Sequence, residues 1–136
     1  MTIKRVSRKV IADNRGVLMP FNLEDTQLNS FKRVFCTADL KKGEVRGSHA
    51  HRTQTQLLYV IQGEFKITFE NSDERGEVIL NNHSEGIEIP IMTWSTQTPT
   101  KDHSVLMVFA SDVYDESDYL RDFEEFKTLS IRDIKK

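Results

Sequence analysis

The chain has 136 residues, a formal net charge of -2 and 29% charged residues. Because this length fits one domain with a single hydrophobic core, we expect residues 1–136 to form one domain. The near-balanced charge excludes the broad basic field of a sequence-independent nucleic-acid-binding protein, so an anionic ligand must be held by a local cluster of Arg and Lys.

Short apolar groups separated by Gly, Asn, Asp, Ser and Pro run from residue 3 to about residue 110, which is the spacing of many short strands. Residues 57–61 are continuously apolar and predict a central strand covered on both faces. Residues 64–70 alternate strictly between polar and apolar, which predicts a strand with three buried residues, Phe65, Ile67 and Phe69.

The following strands are marked by turn signals. Residues 71–76, with the sequence Asn-Ser-Asp-Glu-Arg-Gly, predict a turn, and residues 77–80 predict the returning strand. Residues 86–89 alternate again and end at Pro90, which cannot donate to a strand ladder. Residues 105–109 are continuously apolar and predict a second central strand.

Only the C-terminal part changes its periodicity. Tyr119, Phe123 and Phe126 are spaced at i, i+4 and i+7 after an acidic stretch, residues 115–118, that suits a helix N-terminus. One C-terminal helix is therefore expected. Regularly spaced strands without intervening helices predict an all-β fold, a closed barrel or jelly roll of short antiparallel strands, whose mouth or interior can hold a ligand.

His49 and His51 are the strongest candidates for chemistry. In a strand, residues two apart project from the same face, so residues 46–51, Arg-Gly-Ser-His-Ala-His, place both imidazoles side by side. Two inward imidazoles bind a metal or move protons. The alternative is a pair of surface or core histidines satisfied by hydrogen bonds, which a short His-x-His motif does not exclude.

A metal site needs a third and usually a fourth ligand, and the sequence does not supply them near the pair. Gln56 stands where a carboxylate would serve, and the turn after Pro90 holds no histidine. His83 and His103 lie in turn-like stretches, where solvated loop histidines are expected. The residues therefore favour proton transfer without a metal or cofactor.

Three arginines are candidates for gripping a diphosphate, because a guanidinium offers two parallel donors to a phosphate. They are Arg15, Arg33 and Arg46, each of which is more often a surface charge when taken singly. Trp94 is a candidate for stacking on a base or a sugar, with packing inside the barrel as the alternative.

Nothing in the sequence indicates export or membrane insertion. No apolar stretch of signal-peptide length stands at the N-terminus, and the longest apolar run, residues 105–110, is far shorter than a membrane span. Cys36 is the single cysteine and cannot form an internal disulfide, so we interpret it as a small buried apolar residue. We therefore expect a soluble cytoplasmic protein without a membrane partner.

A longer pattern runs from residue 15 to about residue 126. Its most specific feature combines His-Ala-His, preceded by Arg-Gly, with a downstream Tyr-Asp-Glu-x-Asp-Tyr. The stretches that carry it are Arg33–Phe35, Gly43–Gly47, His49–His51, Gln56, Gly63, Gly86–Pro90 with Trp94, and Ala110–Asp122. This pattern resembles the sugar-nucleotide 3,4-ketoisomerases of the cupin superfamily, which act on dTDP-4-keto-6-deoxyglucose.

The resemblance implies a cupin jelly roll that needs no metal or cofactor and moves the sugar carbonyl from carbon 4 to carbon 3 in dTDP-deoxysugar biosynthesis. It implies that His51 and His49 are the acid/base pair, with His51 leading. It also implies a homodimer with exchanged N-terminal strands. Residues 13–16, Asp-Asn-Arg-Gly, are similar to a nucleotide-binding element of related cupin epimerases. The substrate-binding residues predicted in this way are Arg15, Gly16, Arg33, Arg46, Gln56 and Trp94.

The chain departs from the family pattern at two places. Members commonly carry tyrosines in the strand after Arg33, where this chain has Phe35, Cys36 and Thr37, so no phenol role is carried over there. They also often show a histidine directly after the tryptophan, and this chain has Ser95 instead. The route of the protons is therefore left open.

Three other functions remain as alternatives: a dTDP-sugar 3,5-epimerase, a non-catalytic sugar-binding cupin and a metal-dependent cupin oxygenase. The matched stretches favour the isomerase over the epimerase, and the incomplete ligand set disfavours the oxygenase. The residues do not decide between a gluco and a galacto product, nor how His49 and His51 divide the acid and base roles, nor the pathway downstream.

Overall fold

Strands make up most of the regular structure of the computed structural model, which describes residues 2–134. A short 3-10 helix spans Glu116–Asp118, and the α-helix α1 spans Phe123–Ile134. The strands are β1 Lys4–Ser7, β2 Ile11–Asp13, β3 Gly16–Leu18, β4 Arg33–Thr37, β5 Arg46–His51, β6 Gln56–Gln62, β7 Phe65–Glu70, β8 Arg75–Leu80, β9 Glu85–Ile89, β10 Trp94–Pro99, β11 Val105–Ala110 and β12 Tyr119–Leu120.

Two five-stranded antiparallel sheets form the body of the fold. One has the strand order β1-β9-β6-β11-β4 and the other has the order β12-β5-β10-β7-β8, while β2 and β3 form a separate hairpin. Strands that are distant in the chain therefore lie side by side, as in a jelly roll. The predicted all-β architecture with one C-terminal helix is confirmed for the part of the chain that the structure describes.

The predicted central strands, β6 and β11, lie next to each other in the first sheet. Their side chains alternate between two apolar clusters, so both faces of these strands are covered, as predicted. The cluster between the two sheets contains Leu58, Val60, Phe65, Ile67, Val78, Leu80, Ile87, Ile89, Leu106 and Val108. The cluster on the outer face of the first sheet contains Leu28, Leu57, Tyr59 and Phe109.

Polar side chains occupy part of the barrel interior beside this apolar core. His51 of β5, Gln56 of β6 and Gln97 of β10 are buried there despite their polarity. Ala50, between the two histidines, faces the opposite way and packs with Leu120 and Phe126 beneath α1. The alternation of β5 therefore turns the imidazoles into the barrel and leaves α1 to cover the outside of the same strand.

The C-terminal helix begins later than the periodicity predicted, because Tyr119 belongs to β12 and pairs with His51 of β5. The helix N-terminus is set by Asp122, whose carboxylate accepts hydrogen bonds from the backbone N–H groups of Glu124 and Glu125. The spacing of Tyr119 from the two phenylalanines was therefore not a helical repeat. In the described part of the chain, no helix has the length and apolar character that crossing a membrane requires.

Two smaller predictions also need correction. Cys36 is exposed rather than buried, because β4 is an edge strand whose alternation turns Phe35 and Thr37 inward and leaves Val34 and Cys36 outside. The returning strand β8 begins at Arg75, two residues earlier than predicted, because Arg75 and Gly76 already pair with β7.

Candidate active site

A distortion at the start of β5 sets the position of the two histidines. Gly47 and Ser48 both have positive φ angles, 83° and 54°, and the pairing of β5 with β10 shifts register there. A side chain at position 47 would bring its Cβ to 3.0 Å from the carbonyl oxygen of Ser95, and this tight contact together with the positive φ favours glycine there. Beyond this bulge, His49 and His51 face inward with ring centroids 4.8 Å apart and planes at 82°.

Asp118 fixes the orientation of His51. The Nδ1–H of His51 donates to Oδ2 of Asp118 at 2.7 Å, and each side chain is only 6% exposed. Oδ1 of Asp118 accepts hydrogen bonds from the backbone N–H of Thr53 at 2.6 Å and from its hydroxyl at 2.8 Å. Because a carboxylate can only accept, the neutral His51 ring keeps its proton on Nδ1 and a lone pair on Nε2.

The Nε2 atom of His51 is buried and has no hydrogen-bond partner among residues 2–134. A buried polar atom without a partner is unusual in a folded protein and calls for an explanation such as a catalytic role. The Nδ1–H of His49 donates to the carbonyl oxygen of Gly47 at 3.0 Å, which favours the same tautomer in the neighbouring ring. Both rings are therefore held with Nε2 as the free nitrogen.

Burial keeps both imidazoles neutral near pH 7. Desolvation, together with the adjacent His51 ring, lowers the pKa of His49 to about 4. Desolvation also lowers the pKa of His51, although the hydrogen bond and negative charge of Asp118 oppose this change. Burial by itself raises the pKa of Asp118, but the hydrogen bonds from Thr53 and His51 outweigh it and leave the pKa below its ordinary value. The pair is thus a neutral base backed by a carboxylate.

Next to His51, the ring of His49 lines a cavity of about 370 Å³, which is in the size range of small-ligand sites. We call it the histidine cavity. The polar and aromatic side chains that line it are Phe35, Thr37, Arg46, His49, Gln56, Gln97, Tyr119 and Arg121. Its polar lining and its two guanidinium groups suit a polar, anionic ligand rather than an apolar one.

Tyr119 and Arg121 are cavity residues that the sequence analysis did not assign. The Tyr119 ring centroid lies 4.5 Å from that of His51 and 5.0 Å from that of His49. The Arg121 guanidinium lies 4.3 Å from the Tyr119 ring and is held by two hydrogen bonds to Glu116, at 2.7 and 3.0 Å. These bonds, with that from Tyr114, lower the pKa of Glu116 to about 2. The segment that follows Asp118 therefore forms one wall of the cavity.

Not all the residues predicted from the sequence lie at this cavity. Arg46 and Gln56 line it with His49, and His51 lies beside His49, whereas Arg15 and Gly16 lie in the β2–β3 hairpin and do not line it within this chain. The Arg15 side chain is 87% exposed and pairs with Asp13 at 2.6 Å. Arg33 begins β4 and does not line this cavity either, although Phe35 and Thr37 of the same strand do.

Trp94 faces away from the histidine cavity. It lies on the opposite face of β10 from Gln97 and packs against Phe123 and Phe126 of α1, with ring centroids 5.1 and 5.7 Å away. It also borders a separate cavity of about 620 Å³ on the outer side of the second sheet. The structure therefore places Trp94 in packing, the alternative considered for it, and does not bring it to the histidines.

Residues 2–134 contain no group of three or more His, Cys, Asp or Glu side chains arranged to hold a metal ion. His83 lies in a turn, where its Nε2–H donates to the carbonyl oxygen of Ile61 at 2.9 Å. His103 lies in another turn, with a φ angle of 61°. Neither of these histidines joins the pair in β5.

The chain matches a protein family model, FdtA, described as "WxcM-like, C-terminal", over residues 1–130. It is 32% identical to the TDP-4-oxo-6-deoxy-alpha-D-glucose-3,4-oxoisomerase of Aneurinibacillus thermoaerophilus over 127 residues, which cover 93% of this chain and 91% of that protein. Both matches extend over nearly the whole chain, including β5 and the segment that carries Asp118.

The fold of the chain is also similar to those of solved structures. The sugar 3,4-ketoisomerase QdtA from Thermoanaerobacterium thermosaccharolyticum, in complex with TDP, superposes with a TM-score of 0.86 at 30% identity, covering 96% of this chain and 95% of that one. The RmlC epimerase of Mycobacterium tuberculosis has a TM-score of 0.71 at 15% identity, covering 86% and 66%. The second likeness shows the fold alone.

Replacing Asp118 with Asn tests the electrostatic part of the site. The amide keeps the size of the carboxylate but removes its negative charge, which raises the pKa of His51 in the native protein. In Asp118→Asn we therefore expect the His51 pKa to fall, measured by NMR titration of the imidazole signals. Glu125→Gln, at an exposed position on α1, is the matched control and should leave the His51 pKa unchanged. An unchanged His51 pKa in Asp118→Asn would contradict the pairing.

Proposed function

The chain belongs to the FdtA family, and we propose that it is an isomerase that moves the keto group of TDP-4-keto-6-deoxyglucose from carbon 4 to carbon 3. The observation that carries the proposal is the buried, unpartnered Nε2 of His51, whose ring is backed by Asp118 and packs against His49, a residue of the histidine cavity. A neutral imidazole held in this way can take a proton from carbon and return it.

The reaction moves one hydrogen from carbon 3 to carbon 4 and another from oxygen 3 to oxygen 4. The proton on carbon 3 is acidified by the carbonyl at carbon 4, and its removal gives an enediolate. Protonation of carbon 4 and transfer of the hydroxyl proton from oxygen 3 to oxygen 4 complete the product. No electrons leave the sugar, so the reaction needs no external oxidant or reductant.

We assign His51 as the group that removes the proton from carbon 3 and delivers one to carbon 4. When Nε2 takes up the proton, the resulting imidazolium is stabilised by Asp118, which already accepts the Nδ1–H. His49 has only the neutral carbonyl of Gly47 behind it, and its pKa of about 4 disfavours an imidazolium. We therefore assign His49 the role of holding or polarising the sugar oxygens in its neutral form.

The nucleotide diphosphate is assigned to the arginines that line the histidine cavity. Arg46 and Arg121 both line it, and Glu116 holds the Arg121 guanidinium in place. Gln56 and Gln97 are positioned to bond sugar hydroxyls, since both are buried amides in the wall. Binding through a remote diphosphate positions the sugar without taking part in the chemistry.

Arg15 and Gly16 remain predicted nucleotide contacts, and we propose that they reach the cavity of a second copy of the chain. The β2–β3 hairpin forms a sheet of its own and exposes three apolar side chains, Ile11, Val17 and Leu18. Exposed apolar residues on a projecting hairpin favour burial against a partner. We therefore propose a homodimer with exchanged N-terminal strands, in which each hairpin completes the other site.

We also propose that the protein works in the cytoplasm and supplies a 3-keto sugar to a later step of deoxysugar biosynthesis for a polysaccharide. The exposed thiol of Cys36, in a chain without a second cysteine, suits a reducing compartment. The 3,5-epimerase alternative rests on fold likeness at 15% identity, and the sugar-binding alternative gives no reason for the His51–Asp118 pair. Both are therefore less well supported.

Proton NMR of the protein with TDP-4-keto-6-deoxyglucose in D₂O, with chelator present, tests the proposed activity. We expect a 3-keto sugar with deuterium at carbon 4, and in His51→Gln a loss of about 10²–10⁴-fold in kcat, the usual contribution of a general acid/base. His83→Gln, in a turn away from the pair, is the matched control and should keep wild-type turnover. An unchanged sugar, or exchange at carbons 3 and 5 with inversion, would contradict the isomerase.

Mixing two inactive variants tests the exchanged dimer. If the hairpin serves the partner's cavity, a dimer of one Arg15→Ala chain and one His51→Gln chain has one site with both residues intact. Random mixing after unfolding and refolding should then restore roughly a quarter of the wild-type activity per chain, because half the dimers are mixed and half their sites are intact. No recovery from mixed dimers, with each homodimer inactive, would contradict the exchange.

A further inference from the structure

Arg33, at the start of β4, has a guanidinium group with buried nitrogens that bond to nothing. Its Nε and Nη2 atoms are inaccessible to solvent and have no hydrogen-bond partner among residues 2–134. Its neighbours are aromatic faces, with the guanidinium carbon 5.0 Å from the ring centroid of Phe35 and 5.9 Å from that of Tyr114. Burying unpaired donors of a cation is costly, so this arrangement indicates a negatively charged partner that arrives with the ligand.

The strand places Arg33 on the same side as the histidine cavity. Arg33, Phe35 and Thr37 alternate onto one face of β4, and the latter two line the cavity. The Thr37 hydroxyl and the His51 Nε2 are also buried without partners. Four unpartnered polar atoms, from Arg33, Thr37 and His51, therefore belong to side chains on the inward faces of β4 and β5.

The charge of Arg33 acts on His51. Among the groups that face His51, Asp118 raises the pKa of its imidazole, while Arg33 and Arg121 lower it, and the His49 ring lies beside it. Part of Arg33 also borders a small cavity of about 100 Å³ with Leu23 and Phe31. The lowering of the His51 pKa by Arg33, together with the place of Arg33 on the inward face of β4, indicates that its positive charge faces the side of the barrel where His51 lies.

The two arginines that line the histidine cavity, Arg46 and Arg121, are held differently from Arg33. Arg121 is neutralised by two hydrogen bonds to Glu116, and the Arg46 side chain is exposed. Both therefore suit a diphosphate that stays partly in solvent. Arg33 is half-buried, but its Nε and Nη2 are inaccessible to solvent and have no carboxylate bonded to them, which suits a negative charge that develops on a bound sugar.

On the basis of the proposed function, we propose that Arg33 binds the sugar ring and stabilises the enediolate oxygen, as a catalytic residue rather than a diphosphate anchor. When His51 takes the proton from carbon 3, the electron pair of the broken C–H bond forms the carbon 3–carbon 4 double bond, and the carbonyl pair moves to oxygen 4. The guanidinium donates to that oxygen until the hydroxyl proton of oxygen 3 is transferred to it. The electron pair left on oxygen 3 then forms the carbon 3 carbonyl, while the double-bond pair takes up a proton from His51 at carbon 4. Fixed donors of this kind stabilise charge that develops in the transition state.

Three variants separate this role from nucleotide binding. In Arg33→Gln we expect kcat to fall about 10²–10³-fold, the usual effect of removing such a donor, while the affinity for TDP stays within about twofold of the wild type. Arg33→Lys keeps the charge in a shorter side chain, so its kcat should exceed that of Arg33→Gln by about tenfold at unchanged TDP affinity. Arg75→Gln, at an exposed position on β8, should change neither quantity.

The same variants report on His51 without any substrate. Removing the positive charge in Arg33→Gln should raise the His51 pKa, followed by NMR titration of the ligand-free protein, whereas Arg33→Lys should leave it nearer the wild-type value. If Arg33→Gln does not fold, Arg33→Lys decides, because weakened TDP binding with unchanged kcat in that variant would overturn the proposal.

For Arg33→Gln, two results would overturn the inference. One is a loss of TDP affinity of about tenfold or more in Arg33→Gln with kcat unchanged, which would make Arg33 a nucleotide anchor. The other is an unchanged His51 pKa together with a kcat within about threefold of the wild type. A wild-type protein that does not isomerise the sugar would instead refute the proposed function, and the ligand-free titration would still test where the Arg33 charge lies.

Discussion

The hydrogen bond between His51 and Asp118 is the interaction on which the site depends. It joins β5 to a segment 67 residues further along the chain, and the same carboxylate also binds Thr53 through two donors. With Asp118 held there, Tyr119 pairs with His51 and forms part of the cavity wall, and α1 begins after Asp122. One buried carboxylate thus orients the imidazole, closes the cavity and sets the path of the C-terminus.

The chemistry of the site arises from two opposed influences on His51. Burial favours the neutral ring, which has a lone pair available to remove a proton, while Asp118 makes the protonated ring less costly once the proton has moved. A base that starts neutral and can still hold a proton can both remove the proton from carbon 3 and deliver one to carbon 4. His49 shares the burial but lacks the carboxylate, which is why the two rings differ in role.

The two-residue alternation of polar and apolar side chains predicted several of the strands and the faces of their residues. The alternation along β5 and β7 identified the faces of His49, His51, Phe65 and Ile67, because side chains in a strand alternate whatever the strand pairs with. The role of Asp118 was not predictable in that way, since it depends on a contact between distant segments. Tyr119 was misassigned because its spacing from Phe123 and Phe126 imitates a helical repeat, and the side on which Trp94 lies depends on where α1 packs.

The most direct test of this account is the protonation state of His51, measured by nitrogen-15 NMR of the ring in the ligand-free protein at pH 7. The account predicts a neutral imidazole with its proton on Nδ1, bonded to Asp118, and an unprotonated Nε2. A ring protonated on Nε2, or an imidazolium at that pH, would contradict it, because neither form has a lone pair on Nε2 with which to remove a proton.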